Sequence, residues 1–395
     1  MGALGSRVRE GVPGRTASVP GAASAPSWGR AVGADRWIEA EPRLAEKLAD
    51  HTTLRVGGPA RRWVEATTED EVVETVRAAD AAGEPVLVLG GGSNLLIGDD
   101  GFDGTVVHVA TKGVRLAGGS CTIDEPGAAM CGGAVLEVAA GEIWDDFVAT
   151  AIDNEWRGIE ALSGIPGTVG ATPIQNVGAY GQEVSEWLWS VRTWDRVANE
   201  FRTFAVGDCG LGYRTSRFKT DPGHYVVLSV SFQFRQGSMS MPLRFGELTR
   251  RLELDGRGRA PMTDVRAAVL ELRGGKGMVL DPADHDTWSA GSFFTNPVLD
   301  ADRAATLPET APRYPQPDGS VKTSAAWLIE AAGFHKGFGT PPATLSTKHT
   351  LAITNRGGAG SADLVALARR VRDGVRDRFG VTLVPEPVLV GVTLD

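Results

Sequence analysis

Residues 162–181 read LSGIPGTVGATPIQNVGAYG, with five glycines and two prolines in twenty positions. That composition denies the segment a helix or a strand, and a loop so long costs conformational entropy unless something occupies it. Gln175, Asn176 and Tyr180, with the main chain, can match a heteroaromatic ring edge of alternating donors and acceptors, such as that of an isoalloxazine. Ile165, Ala171 and Ile174 can supply apolar contact with the ring faces. A compact Ω-loop that holds only itself is the alternative, and the stretch by itself leaves both open.

Working outward, Trp144, Phe147, Val148, Ala151 and Ile152 recur at helical intervals before this loop. Further upstream, Thr68 and Glu71 have capping-box spacing ahead of Val72, Val73, Val76 and Ala79, and Gly83 supplies the stop. Pro85 introduces Val86 to Leu89, an apolar strand running into Gly90-Gly91-Gly92-Ser93-Asn94; Val106 to Ala110 reads as a second strand. Downstream, Val226 to Phe234 alternates as a strand, and 242–281 mixes a helix with charged loops. The pattern then predicts helices over Ser324–Ala332 and Ser361–Phe379 and extended chain over Leu351–Thr354, Val381–Val384 and Val388–Val392. Met1 to about Val32 is too poor in large apolar residues to order, with order beginning near Ile38, and Ala117 to Gly133 reads as a surface excursion.

A chain of 395 residues has room for two or three domains. Its 51 glycines are about twice the usual share, which points to tight turns or backbone-mediated ligand contacts. A net charge of −9 argues against a protein that coats a polyphosphate backbone. Cys121, Cys131 and Cys209 form no close pair, so neither a disulfide framework nor a zinc site is indicated and a cytoplasmic location is expected. No run has the apolar length of a membrane span, and the match of Gly2 and Ser6 to a myristoylation pattern is read as coincidence.

Gly90 to Asn94 lets backbone N–H groups converge on phosphate oxygens. Leu95 fills the last glycine position of a dinucleotide fingerprint and no Gly-Lys-Ser/Thr follows, so neither a Rossmann loop nor a P-loop is present; an ordinary tight turn is the alternative. Tyr213 to Lys219, YRTSRFK, packs three cations and two aromatics into seven residues, a segment able to hold carboxylate or diphosphate or to be a solvated basic turn. In Gly291-Ser292-Phe293-Phe294 a hydroxyl precedes two rings able to shield it, or simply caps a turn. Glu386, between Pro385 and Pro387, is rigidly held and expected to be partly desolvated, or else an edge-strand charge. The six histidines lack metal-binding spacing, so packing or capping is expected of them, as packing is of Trp187, Trp189 and Trp194.

In chain order, HTTLRVGGPA, VLGGGSNLL, GIPGTVGATPIQNVGAYG, GYRTSRFK, AGSFFTNPV, AAWLIEAAG and VPEPVLVG resemble the UDP-N-acetylenolpyruvoylglucosamine reductases over about His51 to Asp395. The resemblance implies an α+β chain: a FAD-binding fold of the vanillyl-alcohol-oxidase (PCMH) type in two subdomains, then an α+β substrate-binding domain. The corresponding boundaries are a disordered tail at 1–36, subdomains at 37–116 and 117–235, and the C-terminal domain at 236–395, with the strands around Glu386 packing back on the FAD domain. It implies FAD as cofactor, NADPH as co-substrate, a monomer, and reduction of UDP-N-acetylglucosamine enolpyruvate in peptidoglycan precursor synthesis. Arg214, Ser292 and Glu386 resemble the family's catalytic trio. FAD contacts implied are Gly90, Gly91, Gly92, Ser93, Asn94, Leu95, Ile165, Pro166, Gly167, Ala171, Thr172, Gln175, Asn176, Gly178, Ala179 and Tyr180. Substrate contacts implied are Tyr213, Lys276, Asn296 and His349. Phe245 stands where many relatives have Tyr, Thr295 where Lys is frequent and His349 where some have Gln. The rivals are a FAD-linked oxidase or dehydrogenase of a sugar alcohol or lactone and a non-catalytic sugar-nucleotide binder.

Overall fold

The computed structural model describes residues 46–118, 133–255 and 258–395. The N-terminal tail, the onset of order near Ile38 and nearly all of the 117–133 excursion lie outside those residues. The first described elements are β1 (Ala60–Ala66), α1 (Glu69–Ala81), β2 (Val86–Leu89), β3 (Leu95–Ile97) and β4 (Phe102–Val109). Strands β1, β4 and β2 run parallel in that spatial order, as the α1 crossover requires. α1 starts as its sequence dictates, with Thr68 Oγ1 accepting from Glu71 N and Glu71 Oε2 accepting from Thr68 N, both at 3.2 Å. Such a cap stabilises a helix by about 1 kcal/mol. Val72, Val73 and Val76 on its inner face are buried.

Next come β5 (Val114–Gly118), β6 (Gly133–Ala139), α2 (Trp144–Asp153), β7 (Trp156–Arg157), β8 (Gly178–Ala179), β9 (Gln182–Glu183), β10 (Leu188–Asp195), β11 (Glu200–Ala205), α3 (Arg217–Thr220) and β12 (Tyr225–Gln236). Among the described residues, β11-β10-β12-β6-β5 form one antiparallel sheet, with β7 also on β12. Trp144, Phe147, Phe232 and Phe234 pack ring to ring between α2 and this sheet, with neighbouring centroids 5.3–6.1 Å apart. That aromatic layer is the floor on which the 162–181 loop rests. Trp187 and Trp194 are buried, whereas Trp189 is 53% exposed, a correction to the expectation of packing. Alternation along β10 turns its ring to the outer face.

α4 (Gly246–Arg251) and α5 (Met262–Gly274) follow, and Leu248, Val265, Ala268 and Val269 pack around Ala161 beside Tyr180. The remaining elements are β13 (Val298–Leu299), α6 (Ala301–Ala305), β14 (Tyr314–Pro315), β15 (Val321–Lys322), α7 (Ala325–Ala331), β16 (Gly339–Thr340), β17 (Ala343–Leu345), β18 (Ile353–Asn355), α8 (Ser361–Phe379) and β19 (Val388–Val390). Leu328, Ile329, Leu364, Ala368, Val371 and Val375 build their core from α7 and α8. Phe293 and Phe294 are buried in that core. β19 leaves this region and pairs in parallel with β3, Val388 beside Leu95 and Val390 beside Ile97. The extended strand expected over Val381–Val384 carries no ladder. Its chain instead meets residues 293–295: Val384 O accepts from Thr295 N at 3.0 Å, and Phe293 O accepts from Glu386 N at 2.8 Å.

Candidate functional site

The loop at 162–181 is fixed from below by α2. Trp144 Nε1 donates to Leu162 O at 3.0 Å, Asp145 Oδ1 accepts from Gly164 N at 2.6 Å, and Gly167 O accepts from Trp144 N at 3.0 Å. Asp145 itself forms a bidentate pair with Arg266 at 2.7 and 2.9 Å. The glycine loop after β2 packs directly on this platform. A Cβ at Gly91 would approach Gly167 Cα to 2.7 Å, one at Gly90 would approach Thr168 Oγ1 to 2.5 Å, and one at Gly92, whose φ is +58°, would overlap the carbonyl oxygen of His51. These glycines are thus demanded by the protein's own packing, whatever else they hold.

Above both loops lies a cavity of about 800 Å³. Gly90, Gly91, Gly92, Ser93, Asn94, Leu95, Ile165, Pro166, Ala171, Thr172, Gln175, Gly178, Ala179 and Tyr180 line it, as do Arg214, Lys276, Ser292, His349 and Glu386. Gly167, Asn176, Tyr213 and Asn296 are not among the lining residues. Gly167 sits behind Ser93. The Asn176 amide donates to Glu183 Oε2 at 2.7 Å and Gly212 O at 3.1 Å and accepts from Ser185 N at 3.1 Å, so it is spent on the fold. Asn296 Oδ1 accepts from Ala325 N at 2.9 Å at the start of α7, and Tyr213 Oη accepts from Asn296 N at 3.4 Å.

One wall holds a set of ionic groups. Arg214 takes the left-handed backbone conformation, φ +53°. Its Nε lies 3.1 Å from Glu386 Oε1, while Nη1 and Nη2 donate to Asn176 O at 3.3 Å and Gly178 O at 2.8 Å. Burial pushes the Glu386 carboxyl above its ordinary range, opposed by the charges of Arg214 and Lys219. Gly291, φ +69°, turns the chain at Ser292, and Ser289 Oγ, not Ser292, caps that turn by accepting from Gly291 N at 3.2 Å. Among the described residues the Ser292 hydroxyl makes no hydrogen bond, which leaves it free for a ligand.

A second wall is cationic. Lys276 Nζ reaches Glu247 Oε2 at 2.6 Å and lies 5.8 Å from the centre of the Tyr180 ring. Burial pulls the Arg273 guanidinium down to about 10, still charged at neutral pH, and its Nε is buried without a hydrogen-bond partner. Burial, reinforced by Lys276, Lys336 and Arg273, pulls the His349 imidazole down to about 4. Phe245 also lines the cavity, edge-on to Tyr180 with centroids 5.4 Å apart, and offers no hydroxyl there. Thr295 is engaged with Val384 O.

Two sets of polar groups facing the cavity lack protein partners. Gln175 Oε1 is buried without a partner, and no described backbone carbonyl accepts from the N–H groups of Gly91 to Asn94. An amide acceptor in a cavity also lined by apolar Ile165 and Ile174 suits a flat ring with an N–H edge, and a run of free N–H groups suits an anion. Among the described residues no cluster of His, Cys, Asp and Glu could hold a metal, and no helix is long and apolar enough to cross a membrane.

Lys219 and Arg273 line the cavity but were not singled out as site residues from the sequence. Lys219 lay in plain view within the cationic run. Arg273 was also detectable, since it follows Val265 and Val269 at intervals of four and so falls on the inward face of α5.

Residues 281–390 match the family model described as UDP-N-acetylenolpyruvoylglucosamine reductase, C-terminal domain, and residues 60–199 match a FAD binding domain. The chain is 59% identical over 350 residues to the UDP-N-acetylenolpyruvoylglucosamine reductase of Cutibacterium acnes, covering 88% of this chain and 90% of that one. It is 54% identical over 358 residues to the protein of the same name from Streptomyces coelicolor, again covering 88% and 90%. Among solved structures it resembles the UDP-N-acetylenolpyruvylglucosamine reductase of Thermus caldophilus, with a TM-score of 0.59 and 25% identity over 87% of this chain and 97% of that one.

Proposed function

The chain belongs to the UDP-N-acetylenolpyruvoylglucosamine reductase family, and from that premise we propose that it binds FAD in the 800 Å³ cavity and reduces UDP-N-acetylglucosamine enolpyruvate with NADPH as electron donor. The observation that carries the reading is convergence: Arg214, Ser292 and Glu386, from three distant stretches, line one cavity with the unsatisfied Gln175. The residues present fit the cofactor. Gln175 Oε1 would accept from the ring edge, Ile165, Ala171 and Ile174 would flank its faces, and the N–H groups of Gly91 to Asn94 would receive the diphosphate. When bound, the flavin supplies hydride to the vinyl carbon of the substrate.

The protein's own part follows from charge. Addition of hydride leaves negative charge on the carbon beside the substrate carboxylate, spread into that group. Arg214 is already aimed by three hydrogen bonds, and Glu386, whose carboxyl burial shifts toward the protonated form, is a donor beside it when it carries its proton. Preorganised donors of this kind are worth about 3 kcal/mol each to an oxyanion. Ser292, whose hydroxyl is uncommitted, delivers a proton to the carbon, completing the saturated lactyl ether. Peptidoglycan precursor synthesis is the setting this reaction implies.

The purified protein should be yellow, bleach with NADPH and recover its colour on addition of the enolpyruvyl substrate. Ser292→Ala should bleach normally and fail to recover. Equal loss of both half-reactions, or a colourless folded protein that takes up no FAD, overturns the reading.

A further inference from the structure

Arg214 is a non-glycine residue in a left-handed conformation, a backbone state that persists only when its surroundings hold it. The turn around it is closed by Gly212 N to Thr215 O at 3.0 Å and Thr215 N to Gly212 O at 3.3 Å, and neither bond uses the Arg214 carbonyl. That carbonyl accepts from Lys219 Nζ at 3.1 Å, its one partner among the described residues. The lysine backbone is itself pinned. Its N–H donates to Ser216 Oγ at 3.2 Å, and that hydroxyl donates to Ile174 O at 2.6 Å, tying α3 to the long binding loop. Lys219 lines the cavity, is half-buried, and among the described residues has no carboxylate within salt-bridge distance.

We propose that Lys219 is a positioning residue for the reduction: one donor of its ammonium clamps the Arg214 carbonyl and so aims the guanidinium, while its charge faces Glu386. The inference rests on the roles given to Arg214 and Glu386 above. The charged groups facing Glu386 are Arg214 and Lys219, with the neutral Tyr213 hydroxyl nearby, and the 291–296 segment brings no charge. Both cations favour the carboxylate. Glu386 must carry its proton to donate, so activity is lost as pH rises through its titration, and removal of Lys219 should move that alkaline limb to higher pH.

The test uses the FAD-loaded enzyme, NADPH and UDP-N-acetylglucosamine enolpyruvate, with Lys219→Met, Lys219→Arg and Arg214→Met. For Lys219→Met, visible flavin absorption and NADPH bleaching should be retained. Reoxidation by substrate should slow about 10²-fold, the scale of a small misplacement of a reacting group, with KM little changed and the alkaline limb moved upward. Lys219→Arg keeps the charge but not the reach of the ammonium, so its rate should fall with the limb unmoved. Wild-type reoxidation and an unmoved limb in Lys219→Met, or parallel loss of flavin and both half-reactions, overturn the proposal. If the Met variant does not fold, the Arg variant decides, and a wild-type rate there overturns it. Should Arg214→Met reoxidise at the wild-type rate, the reading of the site itself has failed; a slow Arg214→Met beside a normal Lys219→Met removes the positioning role alone.

Discussion

Arg214 and Arg273 stand in the wall of the same cavity, yet one has a hydrogen-bond partner for each guanidinium nitrogen and the other does not. Arg214 donates to two loop carbonyls and Glu386. Arg273 donates through Nη2 to Met278 O at 2.8 Å, while its buried Nε has no acceptor. Beside Arg273, Lys276 is held by Glu247, whose side chain is 33% exposed. A saturated, aimed cation needs no reorganisation when charge appears in front of it, which is what a chemical step rewards. A buried donor left unmade costs about 1–3 kcal/mol until a ligand completes it, which is what a binding step rewards. Under the proposed function, the contrast assigns stabilisation of the reaction to the wall of Arg214 and recruitment of the anionic substrate to the wall of Arg273 and Lys276.

The strongest blow to that division would fall on Arg214. Arg214→Lys keeps the charge and loses the planar fork, and kcat should drop about 10²–10³-fold with KM nearly constant, measured by stopped-flow reoxidation of the reduced enzyme. A raised KM with intact kcat would invert the comparison. Lys276→Met should do the reverse, raising KM about 10–100-fold, the worth of a charge-assisted hydrogen bond, while kcat holds in the same assay. Glu247→Gln sharpens the point by removing the carboxylate that competes for Lys276. KM should fall by a factor of about 2–5, as expected for a partly exposed pair, and a rise would mean that Glu247 positions the lysine instead.

The smallest effect concerns protons at the wall of Arg273 and Lys276. His349 is pulled from 6.5 to about 4 in the folded protein, so between those values the unfolded chain binds the extra proton. Stability from this group is therefore whole above about pH 6.5 and declines as pH falls toward 4. Melting temperature followed from pH 7 downward should fall less steeply in His349→Gln, and an identical slope would mean that the imidazole is not kept neutral there.

Elements with a one-sided apolar pattern were legible: α1 with its capping box, α2, and α8 over its full span Ser361–Phe379. β11 was not, because nearly all its side chains are exposed and no alternation survives. The 162–181 loop announced a binding role through glycine and proline. Asn176, whose amide looked as suitable as that of Gln175, is consumed by Glu183 and Gly212, and no local feature distinguishes the two. Ser292 and Glu386, each as readable as a turn cap or an edge charge, acquire a shared cavity wall through the bonds between residues 293–295 and 384–386. That pairing is non-local, so the resemblance to a family, not periodicity, brought the two together.

The short parallel pair β3 and β19 carries a mechanical implication. Asn94 O accepts from Val388 N at 3.0 Å and the Asn94 amide donates to the Glu386 carbonyl at 3.3 Å, across 292 positions of sequence. Glycine loop and acidic side chain therefore ride on one seam, and breathing of that seam must displace both together. Slowed amide exchange at Leu96 and Val390 would then serve as a common gauge: a molecule gripping the loop at 90–94 stiffens the mounting of Glu386 without touching it.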